Sequence, residues 1–372
     1  MTIKVMIVDD SAVVRQCLKS IFDKHHDIEV VAAVQDPIFA LKRLEKITPD
    51  VITLDIEMPR MDGITFLTKI MKENPIPVVM CSTLTTKSSR TSIQALSIGA
   101  VDVITKPTMN LKQSLGDSET EIINSVRAAA KVNLSKVANT ATNYNRTYPN
   151  IRPKLNADVI VSKPMGRARA SSSIVALGAS TGGTQALERV LVSLTTECPG
   201  IVIVQHMPEA FTAAFAERLD SLCCIHVKEG QTGDEILPGK AIIAPGGKHM
   251  IVKTKYAGAP YIEVKDGPLV SRHKPSVDVL FRSVAKAIGQ KSLGIIMTGM
   301  GDDGANGLLE MRQSGARTVA QDEASCVIFG MPAVAIQKEA TDEQLPLDNI
   351  AALIEAFAPK QNTKLTPNRF KW

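Results

Sequence analysis

Ser180 stands in the run Gly178-Ala179-Ser180-Thr181-Gly182-Gly183, directly after the apolar residues 174–177 and before a helix-like segment, 184–194. A hydroxyl on such a strand-to-helix turn is lifted clear of the sheet. Backbone N–H groups and a helix N-terminus then face whatever it attacks. The glycines permit backbone angles and close approaches that a Cβ would obstruct. The pattern suits a serine nucleophile, although a turn of the same composition also cradles phosphate.

Two further segments place partners for that hydroxyl. The apolar run 201–205 ends at His206, and the run 293–297 leads into Thr298-Gly299-Met300-Gly301-Asp302-Asp303-Gly304. In open parallel α/β sheets ligands bind outside the carboxyl ends of the strands, so a serine, a histidine and a carboxylate converge there. Acyl transfer needs that set: an imidazole to take the hydroxyl proton, a carboxylate to fix its tautomer, and N–H donors for the oxyanion. Of Asp302 and Asp303, one is free to cap the following helix, 305–314, while the other orients the imidazole. The chain order Ser, His, Asp departs from the Ser, Asp, His order of common α/β hydrolases, so geometry must carry the assignment.

A second group of polar residues lies nearer the N-terminus. Five apolar runs (4–8, 28–34, 51–54, 77–81 and 101–105) alternate with helix-like segments, which predicts a parallel sheet wrapped by helices. At their ends stand Asp9, Asp10, Asp55, Ser82 and Lys106. Three carboxylates at one edge repel each other unless a cation sits among them, and hard oxygen ligands suit Mg²⁺. Asp55 is then the acceptor that attacks a phosphoryl group, with Lys106 and Ser82 holding the incoming oxygens.

The elements that position the serine form a second alternating series, with strands predicted at 174–177, 201–205, 241–244, 295–297 and 318–320. An added hairpin is predicted from 250–253 and 261–264 through the loop 257–260. The 372 residues divide into a domain over 1–127, a linker over 128–172, a catalytic domain over 173–358 and a polar, basic tail over 359–372. The net charge of +5 is concentrated in the linker, which holds eight basic residues against the single acid Asp158. Its Asn, Thr, Ser, Ala and Pro content predicts a mobile connector rather than a nucleic-acid patch. Six scattered cysteines are read as reduced and structural, and adjacent Cys223 and Cys224 lack metal-site spacing. No apolar run reaches membrane-spanning length, and the first ten residues read as a strand rather than a leader. The chain is expected to be a cytoplasmic monomer.

Val8-Asp9-Asp10-Ser11, Asp55-Ile56-Glu57-Met58-Pro59-Arg60-Met61-Asp62-Gly63 and Thr105-Lys106-Pro107 together resemble the two-component response-regulator receiver family. That resemblance implies a flavodoxin-like fold and Asp55 phosphorylated by a histidine kinase with Mg²⁺, the change being sensed through Ser82. With such a domain in front, the serine motif, Gln205-His206-Met207-Pro208, Ala244-Pro245-Gly246-Gly247, His273-Lys274-Pro275-Ser276-Val277-Asp278 and the Thr298–Gly304 motif resemble the chemotaxis protein-glutamate methylesterases. The resemblance implies a doubly wound, mostly parallel α/β catalytic domain with no cofactor and the triad Ser180, His206 and Asp303. It places an oxyanion donor at the Met300 N–H, with Thr181 as helper. It further implies hydrolysis of methyl esters on chemoreceptor glutamates, deamidation of receptor glutamines, and a crevice covered by the unphosphorylated receiver.

Two other output domains are weighed against this. No compact helix–turn–helix pattern follows the receiver, which argues against DNA binding. A dinucleotide loop needs G-x-G-x-x-G spacing and an acid about twenty positions on, where His206 stands instead.

Overall fold

The structure is a computed structural model that describes residues 2–83, 85–107, 115–132, 155–162, 172–255 and 258–358. The predicted tail and most of the predicted linker lie outside the described residues.

The N-terminal sheet is built from β1 (Ile3–Val8), β2 (Ile28–Val34), β3 (Val51–Asp55), β4 (Val78–Ser82) and β5 (Asp102–Thr105). All neighbours are parallel, in the order β2-β1-β3-β4-β5. This is the flavodoxin-like order, with its switch point at the carboxyl ends of β1 and β3. Helices α1 (Ala12–Phe22), α2 (Pro37–Leu44), α3 (Gly63–Glu73) and α4 (Thr86–Ile98) supply the crossovers, and α5 (Leu115–Ala129) follows the last strand. Ser11 and Asp62 cap α1 and α3 through side-chain acceptors, so these helices start beside the strand ends that carry Asp9, Asp10 and Asp55.

The second sheet has seven strands, all parallel, in the order β14-β13-β12-β6-β7-β9-β8. In chain order these are β6 (Ile174–Ala179), β7 (Gly200–Gln205), β8 (His226–Glu229), β9 (Lys240–Ile243), β12 (Ser292–Ile296), β13 (Arg317–Gln321) and β14 (Glu343–Leu345). Every residue of β6, β7 and β12 is buried. That is why these strands read as continuous apolar runs rather than alternating ones: helices cover both faces. The covering helices are α6 (Gly183–Val192), α7 (Glu209–Leu222), α8 (Val277–Ala287), α9 (Ala305–Gln313), α10 (Met331–Gln337) and α11 (Leu347–Ala356). Strands β10 (His249–Thr254) and β11 (Pro260–Lys265) form the predicted antiparallel hairpin as a separate sheet. The chain leaves β6 towards β7 on one side and later returns to β12 on the other, so the switch point lies at the end of β6.

Composition misleads at one place. Residues 155–162, counted with the linker by their polarity, dock on the second domain. Arg282 of α8 bonds Asp158 at 2.5 Å and the Val161 carbonyl at 3.2 Å, while Ala157 and Val161 are buried. A buried guanidinium needs a carboxylate partner, and Asp158 supplies one alongside Glu310.

The two domains touch. Helix α4 packs on α6 and α7. Gln185 on α6 donates from Nε2 to the carbonyls of Leu96, at 2.8 Å, and Ala100, at 3.1 Å. Arg90 and Glu217 form an exposed ion pair beside them.

Candidate active site

Ser180, His206 and the Met300–Asp303 loop emerge from the carboxyl ends of β6, β7 and β12, three adjacent strands at the switch point. The backbone locks them together. Ser180 N–H donates to the Thr298 carbonyl at 3.0 Å, and His206 N–H donates to the Ala179 carbonyl at 3.1 Å. Gln205, a buried side chain, donates from Nε2 to the carbonyls of Ser180 and His206 at 2.9 and 3.0 Å. Gly182 holds φ at 77° and heads α6 with no side-chain cap. At Gly183 a Cβ would lie 2.1 Å from Gln205 Oε1, so that position is closed to any side chain while Gln205 keeps its bridge.

His206 bonds Asp303 between Nε2 and Oδ2 at 2.8 Å. Three more donors converge on that carboxylate: Ser276 Oγ at 2.8 Å, Val277 N–H at 2.8 Å and Asp278 N–H at 3.0 Å. Asp303 therefore caps α8 rather than the helix that follows it, and sits in the positive end of that helix's dipole. Three fixed donors and the end of a helix dipole favour the acceptor-only, ionised carboxylate, and opposite it His206 donates from Nε2 and keeps the basic lone pair on Nδ1. Burial acts on both partners. It raises the Asp303 carboxyl above its usual range and pushes the His206 imidazole down to about 3, which keeps the ring neutral at physiological pH. Asp302, its neighbour in the loop, is half-buried.

Nδ1 of His206 is buried and has no hydrogen-bond partner, and the Ser180 hydroxyl bonds no described residue. The serine–histidine contact is thus open in this structure. The N–H groups of Thr181 and Met300 also donate to no described residue. A side chain not singled out by the residue types completes the surroundings of His206. His273 stacks on its ring, with centroids 3.7 Å apart and planes 9° from parallel. The motif His273–Asp278 carried the signal, but which ring face it covers is a tertiary matter.

In the first domain the predicted residues meet at one pocket. Lys106 Nζ lies 2.7 Å from Asp55 Oδ2 and 3.1 Å from Asp9 Oδ2. Both of those oxygens lack an aligned hydrogen-bond donor. Carboxylate oxygens of Asp9, Asp10 and Asp55 lie within 4.8 Å of one another, an acid-only donor set that fits a hard divalent cation. Burial pushes the Asp55 carboxyl up to about 6 and raises Asp9 as well. The same burial disfavours the Lys106 charge, but Asp55 and Asp9 outweigh it and hold the ammonium above its ordinary value. Ser82 is buried at the end of β4, its hydroxyl donating to the Thr83 carbonyl at 3.3 Å. Gly63 is required by close approach, since a Cβ there would lie 2.1 Å from the Asp55 carbonyl oxygen.

An apolar cluster also crosses the domain boundary. Ile328, at the rim beside Ser180, is buried in one apolar cluster with receiver residues including Ile104 and Ile122, and Met300 and Val327 pack against that cluster.

Fold and site define a class: a response regulator whose output domain is a hydrolytic α/β enzyme. Residues 5–115 match the response regulator receiver domain model and residues 175–354 match the CheB methylesterase model. A protein of Chromobacterium violaceum named protein-glutamate methylesterase/protein-glutamine glutaminase 1 is 54% identical over 357 residues, covering 95% of this chain and 99% of its own. One of the same name from Pseudomonas savastanoi pv. phaseolicola is 58% identical over 352 residues, covering 94% of this chain and 97% of its own. Among solved structures, the Thermotoga maritima CheB methylesterase catalytic domain is 35% identical, with a TM-score of 0.49 over 50% of this chain and 99% of that one. The chain belongs to the CheB methylesterase family, in its receiver-bearing form. Among the described residues no helix is long and apolar enough to cross a membrane.

Proposed function

We propose that this protein hydrolyses glutamyl methyl esters on chemoreceptors and deamidates receptor glutamines, under control of receiver phosphorylation. The observation that carries the reading is the ionised, helix-capped Asp303 holding the neutral His206 ring at the strand end beside Ser180. The names of the full-length relatives supply the substrate class.

In this reading Ser180 Oγ attacks the γ-carbonyl carbon while His206 Nδ1 takes its proton. The carbonyl oxygen becomes an oxyanion, received by the Met300 and Thr181 N–H groups. Collapse breaks the bond to the leaving group, and the imidazolium returns the proton, so that methanol or ammonia departs and an acyl-serine remains. Water, deprotonated by the same nitrogen, then attacks the acyl-serine and frees the glutamate and Ser180. Asp303 stabilises the imidazolium in both halves. The open Ser180–His206 contact is one that catalytic groups close when substrate is bound.

In the receiver, Asp55 is the phosphoryl acceptor and a histidine kinase the donor, which places the reaction in the cytoplasm. A Mg²⁺ ion held by Asp9, Asp10 and Asp55 would neutralise the carboxylates and the incoming phosphoryl oxygens. Lys106 holds the transferred group, and Ser82 rotates from the Thr83 carbonyl to bond it. Phosphorylation weakens the α4 contact with α6 and α7 and frees the rim at Met300, Val327 and Ile328. The test is timed methanol release from methylated receptor membranes. Ser180→Ala and His206→Ala each lower it by about 10³-fold or more, and Asp55→Ala removes stimulation by a phosphodonor while leaving basal turnover. Full activity in the serine variant overturns the reading.

A further inference from the structure

We infer that His273 is a positioning residue for the hydrolytic reaction, a face-on clamp that holds the His206 ring in register and keeps it dry. The inference rests on the proposed role of His206 as base.

Asp303 grips His206 by one edge, at Nε2, and a single edge contact leaves the ring free to swing about its Cβ–Cγ bond. His273 removes that freedom, because a ring 3.7 Å away and 9° from parallel covers one whole face. Rotation of the imidazole would drive its edge into the neighbouring ring.

The backbone is bent to deliver this contact. His273 closes a turn in which Val270 and His273 exchange N–H···O bonds of 3.0 and 2.9 Å. The two residues between them, Ser271 and Arg272, hold φ at 51° and 72°. Neither is glycine, and left-handed backbone at such residues persists only where the surroundings over-determine it. They do so here. Ser271 N–H donates to the Leu155 carbonyl at 2.8 Å, and Ser271 Oγ donates to Asp278 Oδ2 at 2.8 Å. Asp278 belongs to the first turn of α8, whose N–H groups hold Asp303. The edge grip and the face clamp therefore hang from the same helix terminus, and the distance between them is fixed by α8 rather than by two mobile loops.

The clamp has an electrostatic side. Both rings are held neutral by burial, and a charge on His273 would oppose the imidazolium that His206 must become. A neutral ring instead presents its π face to that cation. Asp303 and Asp302 from the β12–α9 loop and Arg272 from the turn are the other charged groups felt by His273, and Lys274 is paired with Asp266.

Full-length protein with a phosphodonor is assayed for methanol release from methylated receptor membranes across pH, with Ser180→Ala as reference. His273→Ala and His273→Leu are expected to lower kcat by about 10- to 100-fold with KM little changed. They also move the acid limb of the kcat profile upward by about one pH unit, as water reaches His206. His273→Phe, which keeps a flat ring without a titrating group, restores kcat to within about threefold and leaves the acid limb in place. A wild-type profile in the leucine variant, or a phenylalanine variant as poor as the leucine one, overturns the inference. Activity surviving in Ser180→Ala overturns instead the reading on which it rests.

Discussion

His206 meets Asp303 through Nε2, at 2.8 Å, which leaves Nδ1 as the only ring nitrogen able to accept a proton from Ser180. The carboxylate is committed to donors on every side, so replacing one oxygen by an NH₂ group sets hydrogens against hydrogens. Asp303→Asn is expected to lower kcat for ester hydrolysis by about 10³- to 10⁴-fold, since the tautomer is no longer fixed. It costs about 1–3 kcal/mol of stability through the unmet donors at the start of α8. Single-turnover methanol release together with thermal melts checks both, and a rate within tenfold of wild type would show that Asp303 does not orient the base.

Much of this site is legible in the residues alone, and the reason is topological. A parallel sheet buried on both faces forces polar groups to strand ends, so Ser180, His206, Asp9, Asp55 and Lys106 stand out against their apolar runs. What the chain does not disclose are contacts between segments far apart in sequence. Asp303 caps α8, twenty-six residues upstream at Val277, rather than α9. His273 covers a ring face, and Gln205 bridges two carbonyls, yet both sit in motifs whose spacing carries no geometry. Asp158 reads as part of a polar connector because its partner Arg282 is 124 positions away.

The buried imidazoles make stability depend on pH in a definite direction. His206 and His273 have folded values of about 3, below the value of about 6.5 in an unfolded chain. Between those limits the unfolded chain takes up protons that the native state refuses. Stability is therefore full above about pH 6.5 and falls as pH drops, by about 1.4 kcal/mol per pH unit for each ring. His273→Phe removes one of the two, so its urea midpoint relative to wild type should improve steadily from pH 7 to pH 5. A difference that stays constant over that range would mean that His273 is not held neutral by the fold.

Asp55 works in the opposite sense. Its folded value of about 6 lies above the ordinary carboxyl value of 3.8. The protonated form is favoured by the fold, and stability present at low pH is lost as pH rises through 6. At pH 7.5 without divalent cation the ionised Asp55 costs up to about 3 kcal/mol. Asp55→Asn should raise the melting temperature under those conditions and lose its advantage near pH 5. Added Mg²⁺ should close the gap at pH 7.5 by stabilising the wild type and much less the variant. Equal melting temperatures in chelator at pH 7.5 would show that the pocket tolerates its charges without a cation.

The domain contact offers a test that leaves the catalytic groups untouched. Gln185 reaches from α6 to the Leu96 and Ala100 carbonyls at the end of α4, whereas the Arg90–Glu217 pair nearby is largely solvent-exposed. Exposed ion pairs contribute little, so Arg90→Ala should change basal turnover by less than about twofold. Gln185→Ala removes two hydrogen bonds that exist only in the closed arrangement, which disfavours it by about 1–2 kcal/mol. If the closed form limits basal activity, turnover without phosphodonor should rise by about 5- to 30-fold, while turnover with phosphodonor stays near the wild-type level. A basal rate unchanged in Gln185→Ala, with phosphodonor stimulation intact, would mean that the α4–α6 contact is not the one that phosphorylation releases.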